Sequence, residues 1–194
     1  MKPKQSVPSK HKRTSKKWTG TIPNIEIVYE DNHLLIIDKP AGLLSQADKT
    51  NNVDLTELCK RYLKKAYNKP GNVYLGLTHR LDRPVSGLMV LTKTSKAASR
   101  ISQLIREHQL KKTYWAIVHG RTPLEATYEH FLKKDSKTNK TKAYSSKKSG
   151  AKPAVLSYTT LKQSAHYSLI EIDLVTGKPH QIRVQLSKMG FPLW

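Results

Sequence analysis

The chain has 194 residues, 35 of them Lys or Arg against 14 Asp or Glu, for a formal net charge of +21 at pH 7. That length holds one domain with tails, and so positive a surface collects polyanions, nucleic acid first. Apolar runs stay far below the roughly 18 residues of a membrane span, and a lone cysteine, Cys59, excludes an internal disulfide framework and a cysteine zinc site, which fits the cytoplasm.

Residues 1–23 carry Lys2, Lys4, Lys10, Lys12, Arg13, Lys16 and Lys17 and no acid. They read as a basic tail, disordered until it meets a polyanion, and without the apolar core of a secretory signal. A single folded domain spans 24–194. Ile25, Ile27 and Tyr29 alternate with polar neighbours as in a half-buried strand, Asp31-Asn32 turns, and His33–Asp38 is a second strand. Lys39-Pro40-Ala41-Gly42 breaks it, because Pro has no donor and Gly permits unusual backbone angles. Asp54 caps a helix to about Ala66, whose apolar face is Leu55, Leu58, Cys59 and Leu63. Strands follow at Val73–Thr78 and Gly87–Thr92. Thr94 or Ser95 then caps a helix with Ala98, Ile101, Leu104 and Ile105 at helical spacing. Lys112–His119 and Thr127–Leu132 are strands. Residues 133–152, KKDSKTNKTKAYSSKKSGAK, read as a mobile basic loop within the domain. Val155–Leu161 and Tyr167–Val175 form an antiparallel pair. A last helix starts at Pro179, a favoured first-turn residue, and ends at Gly190. Many strands, few helices and no regular alternation predict an α+β fold with a mixed, mostly antiparallel sheet and flanking helices.

Three segments carry candidate chemistry. In HRLDRPVSG (79–87), Asp82 lies between Arg80 and Arg83, where cations favour the ionised carboxylate, and an ionised, oriented carboxylate is a nucleophile. A surface salt-bridge cluster would look the same. In TGKPHQIR (176–183), Arg183 on the first turns of the last helix can grip a carboxylate bidentately, or a phosphate. In KTYWAIVHG (112–120), Tyr114 and Trp115 point to opposite strand faces, one toward the core and one toward a cleft where a ring can stack on a base, although both could be packing residues.

Together with VYEDNHLLIIDKPAGLL (28–44), these blocks occur in the order found in the RluA-type pseudouridine synthases, and from Ile25 onward the chain resembles that family. The resemblance implies a pseudouridine synthase-like fold and the isomerisation of uridines to pseudouridine in ribosomal or transfer RNA, with RNA as partner, no cofactor, no metal and no membrane, in a monomer. It assigns Asp82 as nucleophile on a flipped-out uridine. Tyr114 stacks on the uracil and assists removal of the C5 proton, and Arg183 partners the aspartate. His79, Arg80, Arg83, Lys178, His180 and Gln181 are assigned to the substrate RNA, and Lys39-Pro40 and Gly42 to structure near the cleft. Val85 stands where the family commonly has Thr, and Lys178-Pro179 where it has Arg-Thr. The family pattern runs on past Gly-x-Pro into further strands, whereas this sequence ends at Trp194. The C-terminal part of the family fold is thus expected to be missing, leaving an exposed edge. A basic RNA-binding or ribosome-assembly protein without catalysis remains the alternative.

Overall fold

The computed structural model describes residues 25–50, 52–135, 138 and 140–194; the basic tail expected at 1–23 lies outside them. They fall into two compact units, one ending at Ala98 and one beginning at Ser99. As the order of elements predicts, the architecture is α+β, with two antiparallel sheets and three helices among the described residues.

In the first unit, β1 (Glu26–Glu30), β2 (Leu34–Lys39), β3 (Gly76–Leu77) and β4 (Gly87–Thr92) form a sheet in the order β1-β2-β4-β3. The β1–β2 turn is closed by the Asp31 carboxylate, which accepts hydrogen bonds from the amides of His33 (2.7 Å) and Leu34 (2.6 Å). Those donors hold the Asp31 carboxyl below its ordinary range. Leu35 and Ile37 of β2 and Met89 and Leu91 of β4 are fully buried. The pattern in β1 misled: Ile27 and Tyr29 are 37% and 48% exposed. β1 is an edge strand with a bulge between Ile27 and Tyr29, and an edge covers little of its own face. Helix α1 (Leu55–Ala66) is capped by Asp54, whose side chain accepts from the Glu57 amide, and buries Leu55, Leu58, Cys59 and Leu63 as expected. The predicted strand over Val73–Thr78 shrinks to Gly76–Leu77. There β3 runs so close to β4 that a Cβ on Gly76 would collide with Thr92 Oγ1. Helix α2 (Ser95–Arg106) starts at Ser95, with Thr94 Oγ1 accepting from the Ala97 amide.

The second unit is built on one antiparallel sheet, in the order β5-β9-β8-β6-β7. It comprises β5 (Thr113–His119), β6 (Glu125–Lys134), β7 (Thr141–Tyr144), β8 (Lys152–Gln163) and β9 (Tyr167–Asp173). Alternate residues of four strands build its core: Val118, Tyr128, Leu156, Tyr158, Ile170 and Ile172, joined by Leu174 and by Leu186 of helix α3 (Gln181–Lys188). Part of the lysine-rich stretch 133–152 is strand, where its composition suggests a loop. β7 lies within it and pairs with β6 from Phe131↔Tyr144 to Lys134↔Thr141. Helix α3 begins two residues later than Pro179 suggests, because His180 takes left-handed backbone angles (φ 56°) and turns the chain before the helix can start. No helix among the described residues is long and apolar enough to cross a membrane.

Candidate active site

Asp82 sits in the loop between β3 and β4, and the loop is held from below. Pro84 prevents it from continuing as strand, and the Val85 amide donates to Asp82 O (3.0 Å) to close the turn. Leu81 is buried beside Ser45, whose hydroxyl donates to Leu81 O (2.6 Å) and accepts from the Leu81 amide (3.2 Å). Gly42 and Arg83 exchange two bonds: the Gly42 amide donates to Arg83 O (2.8 Å), and Arg83 Nε donates to Gly42 O (3.0 Å). Gly42 adopts φ +85°, which few other residues would tolerate. The Lys-Pro-Ala-Gly-Leu-Leu-Ser segment is therefore the shelf on which the Asp82 loop rests.

Lys39 locks that shelf. It is fully buried, and its ammonium donates to Leu43 O (2.9 Å), Pro40 O (3.0 Å) and Arg83 O (3.4 Å). All three N–H donors are thus used, which makes burial of the charge tolerable. Burial pushes the Lys39 pKa down, and attraction from the Asp82 carboxylate pulls it back up. Asp82, half-buried, therefore lies in the field of a buried cation as well as between two exposed arginines, Arg80 and Arg83. The sequence marks Lys39 only as structural. Its burial was not legible because an isolated lysine after an apolar strand reads as an exposed end.

The other two proposed catalytic residues belong to the second unit. Tyr114 is half-buried on β5, opposite Ile172, and packs against the core cluster. Trp115 takes the outer face, 70% exposed, with Nε1 donating to Glu171 Oε2 (2.8 Å). Beside it that face carries a groove of about 550 Å³ bordered by Glu125, Glu171 and Asp173. Lys111 also lines it, and the groove is on the opposite sheet face from Tyr114. Arg183 is exposed on α3.

Of the residues assigned to RNA, Arg80 and Arg83 are exposed, and Lys178 and His180 are half-buried. Two of the others make hydrogen bonds within the fold. Gln181 is buried: its Oε1 accepts from Thr176 Oγ1 (2.8 Å) and the Lys178 amide (2.9 Å), and its Nε2 donates to Val155 O (3.1 Å). With both ends of its amide engaged, it ties the start of α3 to the Thr176–Lys178 turn and to β8. His79 is half-buried and accepts at Nε2 from the Val90 amide (2.9 Å), which ties the start of the loop to β4. The sequence missed Lys112. Burial lowers its pKa, Asp173 opposes that, and Lys178 lowers it further, so two cations crowd the Thr-Gly-Lys-Pro turn. Among the described residues no group of three His, Cys, Asp or Glu side chains is placed to hold a metal ion.

Residues 33–188 match the family model for RNA pseudouridylate synthase. The chain belongs to that family. It is 33% identical over 172 residues to ribosomal large subunit pseudouridine synthase C of Buchnera aphidicola subsp. Baizongia pistaciae, covering 88% of this chain and 52% of that protein. It is 34% identical over 171 residues to ribosomal large subunit pseudouridine synthase D of Zymomonas mobilis, covering 87% and 54%. It is 32% identical over 189 residues to tRNA pseudouridine synthase C of Pectobacterium carotovorum, covering 87% and 46%. The chain thus spans about half the length of these curated relatives. Among solved structures, human RNA pseudouridylate synthase domain containing 4 superposes with a TM-score of 0.72 at 27% identity, covering 87% of this chain and 66% of that one. The matched span of this synthase-family chain contains Asp82, Tyr114 and Arg183.

Proposed function

We propose that this chain converts uridine to pseudouridine in ribosomal or transfer RNA, as the names of its relatives suggest for them, with Asp82 as nucleophile. The observation that carries the reading is the braced Asp82 loop: its flanking residues Leu81 and Arg83 are held by Ser45, Gly42 and the buried, fully bonded Lys39, and its half-buried carboxylate lies in the field of that lysine. Such an arrangement fixes a charged nucleophile in place before substrate arrives.

The target nucleotide leaves its stack, at a cost of a few kcal/mol where it was stacked. Asp82 attacks C1′ of the ribose or C6 of the uracil. The N1–C1′ bond breaks, the ring turns, and a C5–C1′ bond forms. The proton on C5 departs, with Tyr114 assisting, and N1 gains one. Atoms and electrons balance within the nucleotide, so the reaction draws on no oxidant or reductant. Arg183 takes the role that the family's arginine holds toward its aspartate.

Nucleoside chromatography of digested total RNA, after incubation with the protein, tests this. Pseudouridine should rise with the wild type and not with Asp82→Asn. Bound RNA without pseudouridine from the wild type would instead favour the binding-protein reading.

A further inference from the structure

Helix α3 has two turns, and two of its three buried side chains, Gln181 and Gln185, are amides; the third is Leu186. A buried face made mostly of amide is fixed by directional bonds more than by non-directional apolar burial. Gln185 is fully buried. Its Nε2 donates to Tyr128 O on β6 and to Ala154 O on β8, each at 3.1 Å, and lies 3.1 Å from His130 Nδ1. Its Oε1 is buried with no hydrogen-bond partner among the described residues. The orientation is forced all the same: turned over, the oxygen would face two carbonyl oxygens. An amide nitrogen has two hydrogens, and here three acceptors compete for them. Gln181 and Gln185, four residues apart, share the inner face, and Arg183 between them projects from the exposed face.

We infer that Gln185 is a positioning residue for Arg183: by clamping α3 to β6 and β8 it sets the helix rotation, and so the direction in which the guanidinium leaves the second unit. The inference rests on the proposed role of Arg183. An apolar side chain of equal length would fill the space and leave the rotation of a two-turn helix to Leu186, Gln181 and the half-buried Ile182.

Gln185→Met keeps the volume and removes the donors. Two readouts on the whole chain decide the matter. Backbone amide exchange over Gln181–Lys188 should quicken about tenfold while amides of β5 and β9 stay as they were. On RNA, kcat should fall about tenfold with KM within about twofold, the signature of a lost transition-state interaction rather than lost binding. Gln185→Asn, which keeps an amide one methylene short, should lie between, and it carries the same two readouts if Gln185→Met fails to fold. Unchanged exchange in α3 overturns the inference whether or not the wild type turns over. Quickened exchange with unchanged kcat overturns it too. If the wild type itself forms no pseudouridine, the functional reading fails while the exchange readout still judges the clamp.

Discussion

Ser45 shows how much of the Asp82 loop depends on a residue with no chemistry of its own. Its single hydroxyl satisfies both the N–H and the C=O of Leu81, all three groups being buried. Ser45→Ala leaves both peptide groups unpaired, so unfolding in urea should show a loss of about 1–3 kcal/mol, and turnover should fall with it. A loss below about half a kcal/mol would mean that the loop does not lean on this hydroxyl. Lys39 acts at the same scale. Lys39→Met keeps the stem but strips Pro40 O and Leu43 O of the ammonium donor, leaves Arg83 O with the Gly42 amide alone, and removes the cation behind Asp82. Steady-state kinetics should show the loss mainly in kcat, since the carboxylate and not the RNA interface is disturbed. A change confined to KM would place Lys39 at the RNA instead. The sequence named Asp82 because a carboxylate between two arginines is a local pattern. It could not show Ser45 or Lys39 supporting it, because both reach the loop across 36 or more positions.

At the scale of elements, periodicity served where burial follows one face. Helix α1 and its Asp54 cap, helix α2 and strand β4 lie where the spacing puts them. It failed where a partner strand or a single backbone angle decides. β7 is Thr-Lys-Ala-Tyr, four residues inside a lysine-rich stretch, and only the neighbouring edge of β6 makes it a strand. The start of α3 is misjudged from sequence because Pro179 suits a first turn, whereas the left-handed His180 starts the helix at Gln181. The joint of α3 with β6 also carries a pH prediction. Burial, aided by the charge of Lys188, lowers the pKa of His130 below its ordinary 6.5. The unfolded chain then binds the proton more readily than the folded one. The stability His130 contributes is therefore whole above about pH 6.5 and drains away as pH falls from there toward the folded-state pKa. Urea midpoints at about pH 8 and about pH 5.5 should drop less on acidification for His130→Gln than for the wild type. Equal drops would show that His130 is not the group responsible.

The whole molecule is a strongly basic chain whose acids are few, and three of them, Glu125, Glu171 and Asp173, border one groove on the outer face of the second sheet. With so large an excess of cations, binding to RNA should weaken steeply with salt. Lys140, Lys142, Lys147 and Lys148 are exposed on and beside β7. Deleting 133–152 would strip β7 from β6, so neutralisation is the cleaner experiment. Changing all four to Gln should lower the slope of log affinity against log salt by about 0.7 to 0.9 for each phosphate no longer neutralised. An unchanged slope would show that this segment does not touch the substrate. Fold class was legible at this scale from element order and the family blocks; the division into two compact units, each with its own sheet, was not.

Isomerisation by Asp82 is reported most directly by the C5 position of uridine. Forming the C5–C1′ bond expels the C5 hydrogen to water, so RNA labelled with tritium at uridine C5 releases counts only when isomerisation occurs. Time-dependent release is expected with the wild type and release at background with Asp82→Ala, while both proteins bind the RNA alike. Equal release from both would contradict the proposed chemistry, for Asp82 would then not be the nucleophile.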